Sequence, residues 1–381
     1  MAPVKRAIAL LLLCALWLGL ALSPSARDHV LTALLLPEML NLGGPRPLVL
    51  VSGAPTRREL RIAGADADLY RPAGGGEHGA VVLTLGVHPV DKREPVVVRL
   101  AEGLARVGLA VLVVQSDALV ADRIEPGEPE NLVAAFERLA AEPGVAGRRI
   151  GLVGFSAGAS LAFLAATDPR IADRVRVLTW LGGYDDAVRL VEEVQSASYL
   201  DRGRRLPWQP HELSRYVFRK QLVDALPDPD ERARLTAAYV ADGGRGDPAA
   251  RAALDGLGPE GRRLDELFEA RDPDEVARLA GQLPEAVRAR LAALSPLRRV
   301  GDLRARAYVM VDTADPLVPY VHSRELAAAL PPGRLARYVE FEIFEHVQPT
   351  KPVPLLTFVT ESWKLYRTVA AVVLELDPAA D

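Results

Sequence analysis

The sequence predicts an α/β fold, a mostly parallel sheet covered by helices, with a helical cap inserted between the sixth and seventh strands. Three observations carry this. From residue 58 to about 184, short apolar runs alternate with helically spaced stretches, the rhythm of strands buried on both faces and joined by crossover helices. Between Asp185 and Val300 the rhythm stops, apolar residues recur at helical spacing, and no strand is expected. From Ala305 the alternation resumes.

Taken in order, Arg58 to Arg71 alternates polar and apolar residues like one exposed antiparallel strand, and Ala80 to Gly86 is a continuous apolar run, expected as a buried strand. Val96, Leu100 and Leu104 mark a helix leading to a strand at Leu109 to Gln115. Residues 129 to 141 read as a helix, Arg149 to Phe155 as a strand, Ala157 to Ala166 as a helix and Val175 to Gly182 as a strand. In the insertion, Leu213, Val217, Leu222 and Leu226, then Val287, Leu291 and Leu294, keep helical spacing. After it come a strand at Ala305 to Asp312, a helix at Val321 to Leu330, a strand at Arg337 to Phe344 and an amphipathic helix from about Pro354 to Leu376.

At 381 residues the chain exceeds the roughly 250 to 300 residues at which a single core stops growing. The expected division is a core of residues 58–184 and 301–381, the insertion 185–300, a lead-in segment 28–57, and an N-terminal signal peptide or anchor at 1–27. Net charge is −4, with 50 acids against 46 bases, which argues against nucleic acid as a partner. Only five of those bases are lysines; the arginines are spread along the chain and mark no recognition surface. A single cysteine, Cys14, excludes an internal disulfide and a thiolate metal cluster.

Residues 7 to 22 are 16 uncharged, mostly apolar residues behind Lys5 and Arg6, the pattern of a secretory signal or a signal anchor. As a helix the run spans ~24 Å, slightly short of the ~30 Å hydrocarbon core. Retention as an anchor is favoured over cleavage after Ser23 or Ala26, because a second apolar stretch, Val30 to Leu42, follows at once. Either way the remainder is expected outside the cytoplasm, membrane-attached or secreted.

Two segments share Asp-Pro-Asp-Glu-x-Ala-Arg-Leu, Asp228 to Leu235 and Asp272 to Leu279. Asp as N-cap with Pro in the first turn is a helix start, so the repetition reads as shared helix initiation rather than metal binding.

Gly154-Phe155-Ser156-Ala157-Gly158 closes an apolar strand and opens a helix, the context of a nucleophile elbow. A sharp strand-to-helix turn leaves no space for side chains two positions either side of the serine, hence glycine at both. A serine hydroxyl needs a base, and the base needs an orienting carboxylate.

Over residues 58 to 375 the chain resembles the α/β-hydrolase superfamily, especially its dienelactone-hydrolase-like and esterase branches, on that elbow and on Val311-Asp312-Thr313-Ala314-Asp315-Pro316-Leu317-Val318-Pro319, which is similar to the family's acid-bearing segment after strand seven. The resemblance implies Ser156 as nucleophile, Asp315 as acid and His346, after the last strand in Glu345-His346-Val347, as general base. Asp312 stands where the family usually has glycine, and Asp312 or Asp185 remains an alternative acid. The resemblance also implies oxyanion donors at the backbone of Ala157 and of Val87, although the family's His-Gly pair is here Leu85-Gly86. His88 follows in the loop that lines the family's site and is expected to contact substrate. His29, His78, His211 and His322 read as surface or capping residues.

The expected function is a serine hydrolase acting on a small-molecule ester or lactone through an acyl-enzyme, without metal or organic cofactor. Dehalogenase and epoxide-hydrolase chemistry is disfavoured because those relatives carry Asp at the elbow. An acyltransferase on the same fold and a non-catalytic hydrolase-like binding domain remain as alternatives; neither acyl and alcohol specificity nor oligomeric state is legible.

Overall fold

A computed structural model describes residues 24–40, 46–87 and 91–380. The N-terminal run 7–22 lies outside them; among the described residues no helix is long and apolar enough to cross a membrane. Helix α1 (Pro24–Met39) runs across the expected boundary between the leader at 1–27 and the lead-in at 28–57, and its Leu31 and Leu35 are buried. They pack in the same apolar cluster as residues of α2 (Pro95–Val107) and of the C-terminal helix.

Eight strands form one sheet: β1 (Thr56–Ile62), β2 (Ala65–Arg71), β3 (His78–Thr84), β4 (Ala110–Ser116), β5 (Val145–Phe155), β6 (Val175–Leu181), β9 (Arg306–Asp312) and β10 (Leu335–Phe341), in spatial order β1-β2-β4-β3-β5-β6-β9-β10. The pairs β1/β2 and β2/β4 are antiparallel and every other pair is parallel. The single strand expected over Arg58 to Arg71 is therefore two, because Ala63 at φ 50° turns the chain back on itself. Alternation does the layering. Ala80 and Val82 of β3 face the layer that holds α3 (Glu128–Ala140) and α4 (Ala157–Ala166), whereas Val81 and Leu83 face α2 and the last helix.

Between β6 and β9 lie helices α5 (Ala187–Ser196), α6 (Glu212–Asp224), α7 (Pro229–Leu235), α8 (Pro259–Glu269), α9 (Pro273–Gly281) and α10 (Glu285–Ala293), with shorter turns. Asp228 and Asp272 both cap their helices, each accepting from two first-turn amides, as the shared motif requires. The expectation of no strand fails at a short hairpin, β7 (Ser198–Asp201) with β8 (Arg204–Pro207). Its strands of four residues each are too short to show alternation. After the insertion come α11 (Val321–Ala329) between β9 and β10, and α12 (Leu355–Leu376), whose Val373 and Leu376 bury beneath the sheet.

Candidate active site

Ser156 sits between the last residue of β5 and the first of α4 with φ 55° and ψ −134°, a region that costs a non-glycine residue roughly 1 to 3 kcal/mol. Its neighbours compensate by close packing. A Cβ on Gly158 would lie 2.3 Å from the Leu85 carbonyl oxygen, and one on Gly154 would lie 2.4 Å from the Ala159 Cα. Only hydrogen fits at either place, so helix and strand ends approach and the turn is held. The Ser156 N–H donates to the Leu181 carbonyl at 2.8 Å, which carries the β5/β6 pairing one residue past the strand.

Next to Leu181 the chain turns at Gly182, φ 66°. A Cβ here would stand 3.3 Å from His346 Cε1 and 3.4 Å from Asp315 Oδ2. The imidazole of His346 and the carboxylate of Asp315 thus meet beside the strand end adjacent to Ser156. His346 Nδ1 and Asp315 Oδ2 are 2.7 Å apart. The other oxygen, Oδ1, accepts from the Leu317 and Val318 amides at 2.7 and 3.0 Å, so all of the acid's orientation is fixed. His346 is buried, at φ 63°, and its Nε2 makes no hydrogen bond, to Ser156 or to anything else described. Catalytic hydrogen bonds are often long before substrate binds.

The segment after β3 closes on Ser156 from the other side. A Cβ on Gly86 would lie 2.9 Å from Ser156 Cβ and 3.1 Å from its Oγ, which places the backbone entering Val87 against the hydroxyl. Ala157 opens α4, so its N–H belongs to the first-turn amides that have no partner within the helix. His88, expected to contact substrate, lies outside the described residues.

The two alternative acids go elsewhere. Asp312 is fully buried and accepts from the Ala314 amide at 2.9 Å and the Phe344 amide at 2.8 Å, with Lys351 Nζ on Oδ1. It touches the residue before Asp315 and the residue two before His346, and it holds both loops without reaching the imidazole. Asp185 pairs with His322 at 2.6 Å and with Arg189 at 2.7 Å. His322 is therefore no surface or capping residue. It is fully buried, with Nε2 on Glu193 at 2.8 Å. Burial alone would lower its pKa and Arg189 opposes protonation, but Glu193 and Asp185 outweigh both and push it up to about 9. Of the others, His211 caps α6, accepting from the Leu213 amide, His29 lies 3.0 Å from the Tyr366 hydroxyl, and His78 begins β3.

Sequence reasoning missed the hairpin's part in the site. Trp208, just after β8, donates from Nε1 to the Asp315 carbonyl at 3.1 Å, and Tyr320 donates to Asp201 at 3.1 Å. The His211 amide and Ser214 hydroxyl reach the Pro316 and Leu317 carbonyls. The insertion thus rests on the loop that bears Asp315.

The strand order, the parallel core and the elbow after β5 are those of the α/β-hydrolase fold. No protein-family model and no curated protein sequence matches the chain. Among solved structures it is similar to an esterase of Pyrobaculum calidifontis (17% identity, 92% of this chain and 92% of that one, TM-score 0.48). It is also similar to a 2,6-dihydroxy-pseudo-oxynicotine hydrolase (15%, 92% and 82%, TM-score 0.45), and to an acylaminoacyl peptidase of Pyrococcus horikoshii, of which it spans only 40% (15%, 80% of this chain, TM-score 0.45). Likeness this distant carries no inference about chemistry, which rests on the side chains.

Proposed function

We propose that the protein is a serine hydrolase that cleaves a carboxylic ester or lactone through an acyl-enzyme. The observation that carries this reading is the His346–Asp315 pair, 2.7 Å apart, buried beside the strand end next to Ser156 with Nε2 unpartnered. An imidazole held on one nitrogen and free on the other is a base waiting for a proton.

The steps follow from the groups. His346 Nε2 removes the Ser156 proton as Oγ attacks the carbonyl carbon. Asp315 fixes the Nδ1–H tautomer and stabilises the imidazolium. The Ala157 and Val87 amides donate to the oxyanion, where each such donor is worth roughly 3 kcal/mol. Collapse of the tetrahedral intermediate passes the proton to the departing alkoxide. Water, deprotonated by the same imidazole, then hydrolyses the acyl-serine and restores the hydroxyl. The insertion, resting on the Asp315 loop, restricts which esters enter.

The same reading puts the catalytic domain outside the cytoplasm, anchored by or released from residues 7–22, on the strength of Lys5 and Arg6 ahead of an apolar run. Fluorophosphonate labelling tests the chemistry: wild type labels and Ser156→Ala does not, and p-nitrophenyl esters of graded chain length then define the acyl preference. A folded wild type that fails to label ends the proposal.

A further inference from the structure

Several arginines of this protein gather carboxylates around them. Arg58 and Arg138 converge on Glu142, Arg170 holds Glu130 and Asp168, and Arg324 holds Asp201 and Glu340. A cavity of about 390 Å³ in the insertion, at the junction of α5, α6 and the segment after α8, is lined by Arg215, Arg219, Arg245 and Arg271, with Glu212 the single carboxylate among its lining residues. Among the described residues only Arg245 of these four has an ion-pair partner, Asp242.

The centre of the cluster is Arg219. It is half-buried between Tyr239 and Phe268, 5.6 and 5.7 Å from the ring centres, and its Nε is buried without a hydrogen-bond partner. Its one polar contact is a long one, 3.4 Å to the Gly244 carbonyl. Burial, and then the charges of Arg271, Arg251 and Arg215, push its pKa down, the mark of a cation surrounded by cations. Arg271 is steadied by the Phe268 and Ala270 carbonyls at 2.7 and 2.6 Å, and Gln195 donates to the same two carbonyls. Arg271 is therefore fixed by neutral groups, which leave its charge uncompensated. In a chain of net charge −4, four guanidiniums around one small-molecule-sized cavity face two carboxylates, Glu212 in the lining and Asp242 on Arg245, an arrangement that favours a bound anion.

We propose that this cavity is an oxyanion-binding site that takes the phosphate or carboxylate group of a small organic ligand. Guanidinium forks match such groups in shape as well as charge. Two sources fit that chemistry, an acidic tail on the ester substrate or a separate anionic ligand. α6 carries Arg215 next to Ser214, which bonds the Asp315 loop, so either source would act one residue from the scaffold of the site.

The binding test does not depend on the hydrolase reading. Inorganic phosphate is titrated into the full chain by calorimetry and thermal unfolding, with ionic strength held constant by chloride. Saturable binding and a rising Tm are expected, with affinity at least about tenfold weaker in Arg219→Gln and tighter in Glu212→Gln, a gain no folding defect produces. Arg271→Gln, at an exposed position, repeats the test if Arg219→Gln does not fold. No saturable binding, or binding unchanged in the arginine variants, overturns the site. A kinetic arm, which rests on the hydrolase reading, then separates the sources. If phosphate raises KM for the p-nitrophenyl half ester of glutarate and spares p-nitrophenyl valerate, the ligand is the substrate's own carboxylate; if it binds and spares both, the ligand is separate. Either result keeps the site.

Discussion

Two imidazoles are buried against carboxylates at the carboxyl end of the sheet, and only one of them is equipped for chemistry. His346 has a single carboxylate, Asp315, and an unpartnered Nε2. His322 has both nitrogens engaged, by Asp185 and Glu193, and Arg189 completes the cluster. The first is a base with one hand free. The second is a cation clamped between α5, the end of β6 and α11, and a proton held with a pKa near 9 leaves it no capacity to accept another at neutral pH. Burial and a carboxylate neighbour are common to both imidazoles; what separates them is the unsatisfied nitrogen of His346, on which the proposed base role rests.

Substitutions can break that contrast, beginning with the largest expected effect. Ser156→Ala is expected to lower kcat/KM by about 10⁴ or more with Tm unchanged, read by ester hydrolysis and calorimetry. Asp315→Asn should lower kcat by about 10³ to 10⁴, because the amide favours the wrong imidazole tautomer, whereas Asp185→Asn should leave kcat within about threefold and cost stability instead, on the order of 3 kcal/mol for a broken buried pair. Equal kcat losses in the two variants would falsify the division of roles.

The same contrast has a pH signature. The native state binds the His322 proton more tightly than the unfolded chain, whose histidine titrates near 6.5. The resulting stability, about 3 kcal/mol from a shift to about 9, is complete below pH 6.5 and is lost as pH rises toward 9. Denaturant midpoints should fall across that window in wild type, and His322→Asn should flatten the slope. The smallest effect belongs to Asp312→Asn. It keeps an acceptor for the Phe344 amide but loses the charge facing Lys351, and about a tenfold fall in kcat with an unchanged acyl preference is expected.

How much of this was legible depends on how local each signal is. The helix Ala157–Ala166 and the strands β3 to β6 announced themselves because continuous apolar runs bounded by glycine admit few other readings. The resemblance singled out Asp315 and His346, and these two side chains lie in contact. His322 was misread because a histidine at a helix start looks the same whether its partners are water or carboxylates 137 and 129 residues away. The hairpin at Ser198–Pro207 was invisible because two strands of four residues each are too short to show a period. Asp312 stood out only as a departure from glycine; the reason, two loops tied by one carboxylate, is tertiary.

The parallel pairing of β6 with β9 joins strands separated in the chain by the whole insertion. Ser156 and its supporting strands come from residues before that gap, Asp315 and His346 from residues after it. On the proposed hydrolase reading, a ribosome finishes the half that bears Ser156 well before the half that bears Asp315 and His346, and no triad can assemble until β9 docks. Closing so long a loop costs little more than closing a shorter one, about 0.6 kcal/mol per doubling. The length of the insertion therefore weighs little on closing the β6/β9 seam, and what constrains it is the set of contacts from Trp208, His211 and Ser214 to the Asp315 loop.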